Sequence, residues 1–263
     1  MVVFAGQGDP QRSLPLLWRV PSTASRPGPK QGLTVDEIVD AAIAVADASG
    51  MAALSMRAVG DRLGRTAMAL YTYVPNKSDL VDLMYDRTLA ELPTSYAFDG
   101  GWRTAVTSWA SDLWEFYLRH SWVLQVSQAR PVLGPNEFST LETVAGILRS
   151  TGLSATRLRP VVSALTHFVR GSAQVVAEAR EAATATGMTD DTWWYARSAV
   201  LEEIAPDFAA RFPTLVWLES DGNSPPEDDT PYFEHKVRTT FTAGLDVLLD
   251  GVEAAIAAEA ASS

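Results

Sequence analysis

Arg57, Arg65, Thr66, Met68, Ala69, Tyr71, Thr72, Tyr73 and Lys77 all fall in one stretch, LSMRAVGDRLGRTAMALYTYVPNK, running from Leu54 to Lys77. These side chains suit recognition better than bond-making. A guanidinium can read guanine in two-pronged fashion, methyl groups can meet the thymine methyl, and hydroxyl or ammonium groups can hold phosphates. Bond-making chemistry has no comparable cluster. The three histidines, His120, His167 and His235, are scattered, and there is no HExxH or EF-hand spacing. No GxSxG, Walker-type or GxGxxG sequence stands at a strand-to-helix turn. Glu202, Glu203, Asp228 and Asp229 read as solvated surface. No enzyme is expected, and neither a cofactor nor a metal is implied.

Two short helices must position the candidate readers. Ser55 is a good N-cap, Met56, Val59 and Leu63 recur at helical spacing, and Gly64 closes the first helix where a left-handed residue is needed. In the second helix Leu70 and Val74 lie four apart on a buried face, and Pro75 stops it. Two helices around a tight glycine turn make a helix-turn-helix, whose second helix commonly enters the major groove. With Leu70 and Val74 inward, Met68 and Thr72 point the opposite way, flanked by Arg65, Ala69 and Tyr71. That face has no acidic residue, as an approach to phosphate requires. It is poor in hydrogen-bond donors, so methyl contacts from Met68, Ala69 or Thr72 are expected, with Arg57 as the bidentate guanine reader. On spacing alone, a plain helical hairpin within an all-α core fits equally well.

The net charge of −11 looks wrong for a DNA binder until it is divided along the chain. Between Arg12 and Lys77 there are eight Lys and Arg against five Asp and Glu; after Lys77 there are 13 against 26. This asymmetry puts a nucleic-acid surface at the front and a DNA-repelling body behind it.

The run from Leu33 to about Leu92, with GLTVDEIVDAAIAVADASGMAALSMRAVGDRLG and then ALYTYVPNKSDLVDLM, resembles the N-terminal domain of the TetR family of bacterial repressors. The specific match is Leu70, Tyr71, Tyr73, Val74, Asn76 and Lys77. The resemblance implies that Arg57, Met68, Ala69, Thr72 and Tyr73 meet bases or the groove, with Tyr71 and Lys77 on phosphates. Ala67 and Met68, after Thr66, cannot hydrogen-bond a base edge, which leaves the operator sequence open. The donor-poor face also keeps a second function open, a helical small-molecule-binding protein whose front domain no longer reads DNA.

The remaining chain reads as helix with short breaks, and the expected fold class is all-α. Residues 1–29 hold five prolines and are expected to be a flexible basic arm, largely unfolded when free. Leu14, Leu16, Leu17 and Trp18 form an apolar knot in it that could dock on the body, and Arg19, Arg26 and Lys30 could follow phosphates, a solvated tail being the other reading. Residues 30–77 would be the DNA-binding domain, in which Thr34 and Glu37 open the first helix as a capping box. Residues 78–263 would be the ligand-binding and dimerisation domain, joined through a helix from Asn76 to Leu92. Helical spans are expected at 102–120, 136–150, 154–185, 189–204 and 231–260, with no sheet, and 221–230 as a surface loop. No cysteine, membrane-span-length apolar run or secretion leader is seen, so a cytoplasmic location without a membrane partner is expected.

Stripes along 154–185 (Val161, Leu165, Phe168, Val175, Ala179) and 231–260 (Phe233, Val237, Phe241, Leu245, Leu248, Val252, Ile256) are candidates for pairing in a homodimer, Gly244 allowing close approach. The alternative is that they face their own core. GLDVLLDG at 244–251 resembles the closing helix of the tetracycline-repressor-like C-terminal domain, where two such helices pair across a two-fold axis as a four-helix bundle. Seven of eight tryptophans lie after residue 100. Trp114, Phe138, His167, Phe168, Trp193 and Trp194 are the candidate contacts of a small-molecule effector, a satisfied core histidine being the other reading of His167. The tetracycline repressor binds its magnesium-chelated drug through histidines. Here Pro93 and Val126 stand at those places, beside the matching Arg130-Pro131 pair, so metal-chelated tetracycline is not expected.

Overall fold

In the computed structural model, residues 3–20, 32–220 and 230–261 are described. Strand β1 (Val3–Phe4) and helix α1 (Pro10–Leu17) come first. The front unit follows as α2 (Val35–Ala53), α3 (Met56–Leu63) and α4 (Ala67–Tyr71), with α5 (Lys77–Leu89) leading out of it. Then come α6 (Gly101–Arg119), a 3-10 turn at Ser121–Gln125, strand β2 (Val126–Ser127) and α7 (Pro135–Arg149). The long α8 (Ala155–Thr186) is followed by α9 (Asp190–Ile204), α10 (Phe208–Arg211), α11 (Pro213–Ser220) and α12 (Tyr232–Ala260).

The helix starts follow their caps. The Thr34 hydroxyl accepts the Glu37 N–H at 3.2 Å while Glu37 accepts the Thr34 N–H at 2.7 Å. Along α2, Ile38, Val39, Ala42 and Ala46 are buried and meet Val59, Leu70 and Val74. Behind them α5 buries Leu80 and Met84, and the core continues into Val106, Leu113 and Trp114 of α6, Leu148 of α7, Leu165 and Val169 of α8, and Leu249 of α12.

The all-α expectation stands, with one exception and one larger correction. The exception is that β1 and β2 form a two-stranded parallel pair, Val3 opposite Val126 and Phe4 opposite Ser127. Strands of two residues are too short to show alternation, so no period-2 signal could announce them. The correction concerns the front of the expected flexible arm. Val3–Val20 is a strand and a helix seated on the body, with Ala5 and Leu17 buried. The apolar knot makes this seat, and Arg19 pairs with Asp36 of α2 instead of standing free for phosphate. Arg26 and Lys30 lie outside the described residues, as does the expected loop at 221–229.

The stripe on α12 mostly serves its own chain. Phe241, Leu245 and Val252 are buried against the body, and α8 and α12 pack on each other. Gly244 does permit close approach, but to Phe168 of the same chain: a Cβ there would lie 2.8 Å from the Phe168 ring.

Candidate nucleic-acid interface and sensing domain

The front unit presents its candidate readers by local chemistry. The Ser55 hydroxyl accepts the Ala58 N–H at 3.1 Å, and the Thr66 hydroxyl accepts the Ala69 N–H at 3.3 Å, so both short helices carry a side-chain cap. Gly64 holds φ at 64°, the left-handed turn that separates them. Gly60 is needed for another reason: a Cβ there would stand 2.6 Å from the Arg65 carbonyl. α3 can therefore approach the turn only with hydrogen at position 60.

Leu70 and Val74 are fully buried, whereas Met68 is 75% exposed and Thr72 is exposed beside it. A methionine so exposed on a helix whose inner face is saturated has no packing role within the chain. Arg65, Thr66 and Tyr71 are exposed on the same side, and Ala69 and Tyr73 are half-buried. Lys77, exposed at the first turn of α5, sits next to Asn76, whose side chain accepts the Asp79 N–H at 2.8 Å. Arg57 extends from α3 with its side chain 89% exposed, its nearest anion being Asp61 one turn on at 3.9 Å. This pair is too solvated and too long to hold Arg57 back from a base.

The joint between the front unit and the body is polar. His120, buried at the C-cap of α6, sits between Asp47 of α2 at 2.8 Å and Glu91, just beyond α5, at 3.1 Å. Trp122 Nε1 donates to the same Asp47 oxygen at 2.8 Å, and Arg87 of α5 donates to Asp40 of α2 at 3.2 Å. The front unit is thus tied to the body by directional bonds that a displacement of α5 or α6 would strain.

The six candidate effector contacts separate. Trp114 is buried and lies against Phe241, ring centres 4.3 Å apart; Phe168 also stacks on Phe241, at 5.7 Å and 12°. Phe138 lies apart from them, half-exposed on α7 with Trp18 of the N-terminal segment 6.2 Å away, lining an open groove with Thr94 and Leu141. His167 points outward from α8, its Nδ1 3.3 Å from the Ser163 hydroxyl, so it is not the core histidine that its apolar neighbours suggested. Helical phase carries it off the stripe that Leu165 and Val169 define. Trp193 and Trp194 are exposed on α9, Trp194 to 63%. They do not line one cavity with the others in the single chain.

Sequence reasoning missed a polar cluster in this body. Arg170 of α8 donates to the carbonyls of Leu124 at 2.6 Å and Val126 at 3.0 Å, and hydrogen-bonds Tyr117 of α6. Gln128 hydrogen-bonds both Tyr117 and Tyr85 of α5. Burial pushes both phenols well above their ordinary range. The available signal was an arginine directly after Val169 within the apolar stripe of a long helix.

Two capped helices around a left-handed glycine, an unpartnered outward face and a helical body behind them define a helix-turn-helix regulator. Residues 38–84 match the family model for bacterial regulatory proteins of the tetR family, and residues 96–256 match the tetracyclin repressor-like C-terminal domain. The chain belongs to the TetR family, whose members are transcriptional regulators and not enzymes. It is 39% identical over 255 residues to the HTH-type transcriptional repressor DrrR1 of Streptomyces coeruleorubidus, covering 96% of this chain and 89% of that one. An HTH-type transcriptional regulator of Saccharopolyspora erythraea is 32% identical over 156 residues, 59% of this chain and 65% of its own. Among solved structures, Streptomyces coelicolor ActR in complex with actinorhodin superposes with a TM-score of 0.67 at 27% identity, covering 86% of this chain and 99% of that one. No helix among the described residues is long and apolar enough to cross a membrane.

Proposed function

We propose that this chain is a homodimeric repressor that binds a palindromic operator through α4 and is released from it by a small apolar effector. The observation that carries the reading is the exposed pair Met68 and Thr72 opposite the buried pair Leu70 and Val74. In this reading Arg57, Met68, Ala69, Thr72 and Tyr73 meet bases or the groove, and Arg65, Thr66, Tyr71 and Lys77 hold the backbone. Residues 30–77 act as the DNA-binding domain and 78–263 as the sensing and dimerising one. Two recognition helices in successive major grooves require half-site centres about 34–36 Å apart.

Dimerisation is supported by what the single chain leaves uncovered. Neither α9 nor α11 buries any residue, yet Trp193, Trp194, Leu201 and Ile204 of the first and Leu215 and Trp217 of the second are exposed. Large apolar side chains left exposed on helices that bury nothing support an interface there. A partner's α8 and α12 together with this excursion would cover it, and Trp193 and Trp194 would then reach an effector only from across the dimer axis.

For the effector, the stack of Trp114, Phe241 and Phe168 favours a flat aromatic molecule, and the buried Trp114 Nε1, which has no hydrogen-bond partner, would donate to an oxygen on it. That ActR is known in complex with actinorhodin supports a small-molecule effector here. Effector binding would favour a conformer with a different separation of recognition helices, a coupling of about 1–3 kcal/mol passed through α5. The test is a gel shift on the DNA upstream of the chain's own gene at two salt concentrations. Specific binding with a steep salt slope is expected; equal, weak binding to all sequences would leave only the small-molecule-binding function.

A further inference from the structure

One face of α5 is acidic and buried. Asp79, Asp82 and Asp86, three and four residues apart, are 4%, 2% and 4% exposed. Carboxylates are seldom buried to this degree without dedicated partners. Asp86 has them from a neighbouring helix: it accepts the backbone N–H groups of Asn136 and Glu137 at 2.9 and 3.0 Å and the Asn136 amide at 2.9 Å, and so caps α7. Asp79 belongs to the Asn76 cap of its own helix. Asp82 is served from far away in sequence. Its two oxygens both lie 3.1 Å from the backbone nitrogen of Gly6, and that N–H donates to them.

The segment that supplies this donor also reaches the body and the front unit. β1 pairs with β2 on the body, Ala5 and Leu17 are buried against the core, and α1 lies along α5. Trp18 Nε1 donates to the Leu133 carbonyl at 2.9 Å, just ahead of α7, and Arg19 pairs with Asp36 on α2. One stretch is therefore fastened to the sensing body, to the connecting helix and to the DNA-reading unit.

We infer that Val3–Val20 is a strap that positions α5 between the two halves of the molecule, with Asp82 as its seat. Asp82 is a positioning residue in this account and touches neither DNA nor effector. The inference rests on the reading of α5 as the joint that carries the effector signal.

The physics of the seat sets the sign. Burial, above all, pushes the Asp82 carboxyl up to about 6; the Gly6 hydrogen bond opposes this, and the negative charges of Asp79 and Glu137 add to it. Beyond the seat, Arg12 and Asp9 on the strap act on Asp79, and Arg19 acts on Asp86. Lifting the strap gives Asp82 back to water, and its carboxyl returns toward about 4. The docked state thus binds the proton more tightly, so docking strengthens as pH falls through 6 and loses that gain above it. Between pH 7.5 and pH 5 linkage allows up to roughly a tenfold gain in docking. An acidic medium should clamp α5 more firmly than a neutral one.

Hydrogen exchange on the full chain, without DNA or effector, tests this at pH 5 and pH 7.5 after correction for intrinsic rates. Residues 3–17 should be protected, and more so at pH 5. Ala5→Gln, which places an amide in the buried strap site, should expose residues 3–17 and speed exchange in 77–89 about tenfold. Asp82→Asn should remove the pH difference while circular dichroism keeps its helical signal. A chain starting at Ser22 serves the same purpose if Ala5→Gln does not fold. Unchanged exchange in 77–89 when the strap is lifted or removed would overturn the positioning role, and a pH difference surviving Asp82→Asn would overturn the seat. Failure to find an operator would not touch these results, and their failure would leave the repressor reading standing.

Discussion

The front unit and the excursion from α9 to α11 are both short helices joined by tight turns, yet they end in opposite states. In the front unit the inward residues, Ile38, Val59, Leu70 and Val74, are all fully buried, and the exposed side chains include Met68, Thr72, Thr66, Tyr71 and charged ones. In the excursion no residue of α9, α10 or α11 is buried, and tryptophans, leucines and an isoleucine face outward. A helix is stable when its apolar face is covered, whoever supplies the cover. The front unit completes its core within one chain and leaves Met68 and Thr72 outside it, while the excursion leaves its large apolar side chains uncovered. In the proposed function the exposed methionine is a reader in the first region, whereas the exposed tryptophans await a partner in the second.

The contrast can be broken at five points, taken from the largest effect downward. Leu70→Ala should destabilise the front unit by about 2–5 kcal/mol, because the cavity cannot collapse between α2, α3 and α4; a thermal or urea melt reads this directly. Gly60→Ala should act in the same direction, since its new methyl would meet backbone. Trp194→Glu combined with Ile204→Glu should leave folding of the front unit intact and weaken the dimer by about 2 kcal/mol or more. Sedimentation velocity at several concentrations would show it, and an unchanged dimer would mean that the excursion is covered by something else. Arg57→Ala should cost about 1–3 kcal/mol on the operator and relax sequence preference, whereas Tyr71→Ala and Lys77→Ala should weaken binding to all sequences alike. Competition gel shifts separate the two behaviours, and uniform losses for Arg57→Ala would remove it as a base reader. Ser55→Ala and Thr66→Ala should each cost only about 1 kcal/mol of stability through a lost cap.

Much of the reading unit was legible because its signals are local. Ser55, Thr66, Gly64, Pro75 and the four-residue spacing of Leu70 and Val74 each act within one or two turns of helix. The reading of the sensing body separated along the same line. Helix spans could be placed, but Trp114 turned out buried, Phe138 lies in a surface groove, and Trp193 and Trp194 are exposed. Aromatic identity does not say which neighbour covers a ring, since that depends on residues more than a hundred positions away, as Phe241 is from Trp114.

The sequence alone determined the main helices, the helix-turn-helix and the division of charge, because propensity, capping and periodicity are set by neighbours in the chain; it did not show α1, α10 or α11. Only the tertiary structure decided that the proline-rich start is a strap, that Gly6 serves Asp82, and that Asp47, Glu91 and His120 meet at one joint. Those contacts join residues far apart in sequence, and their free energy exists only once the core has brought the elements together.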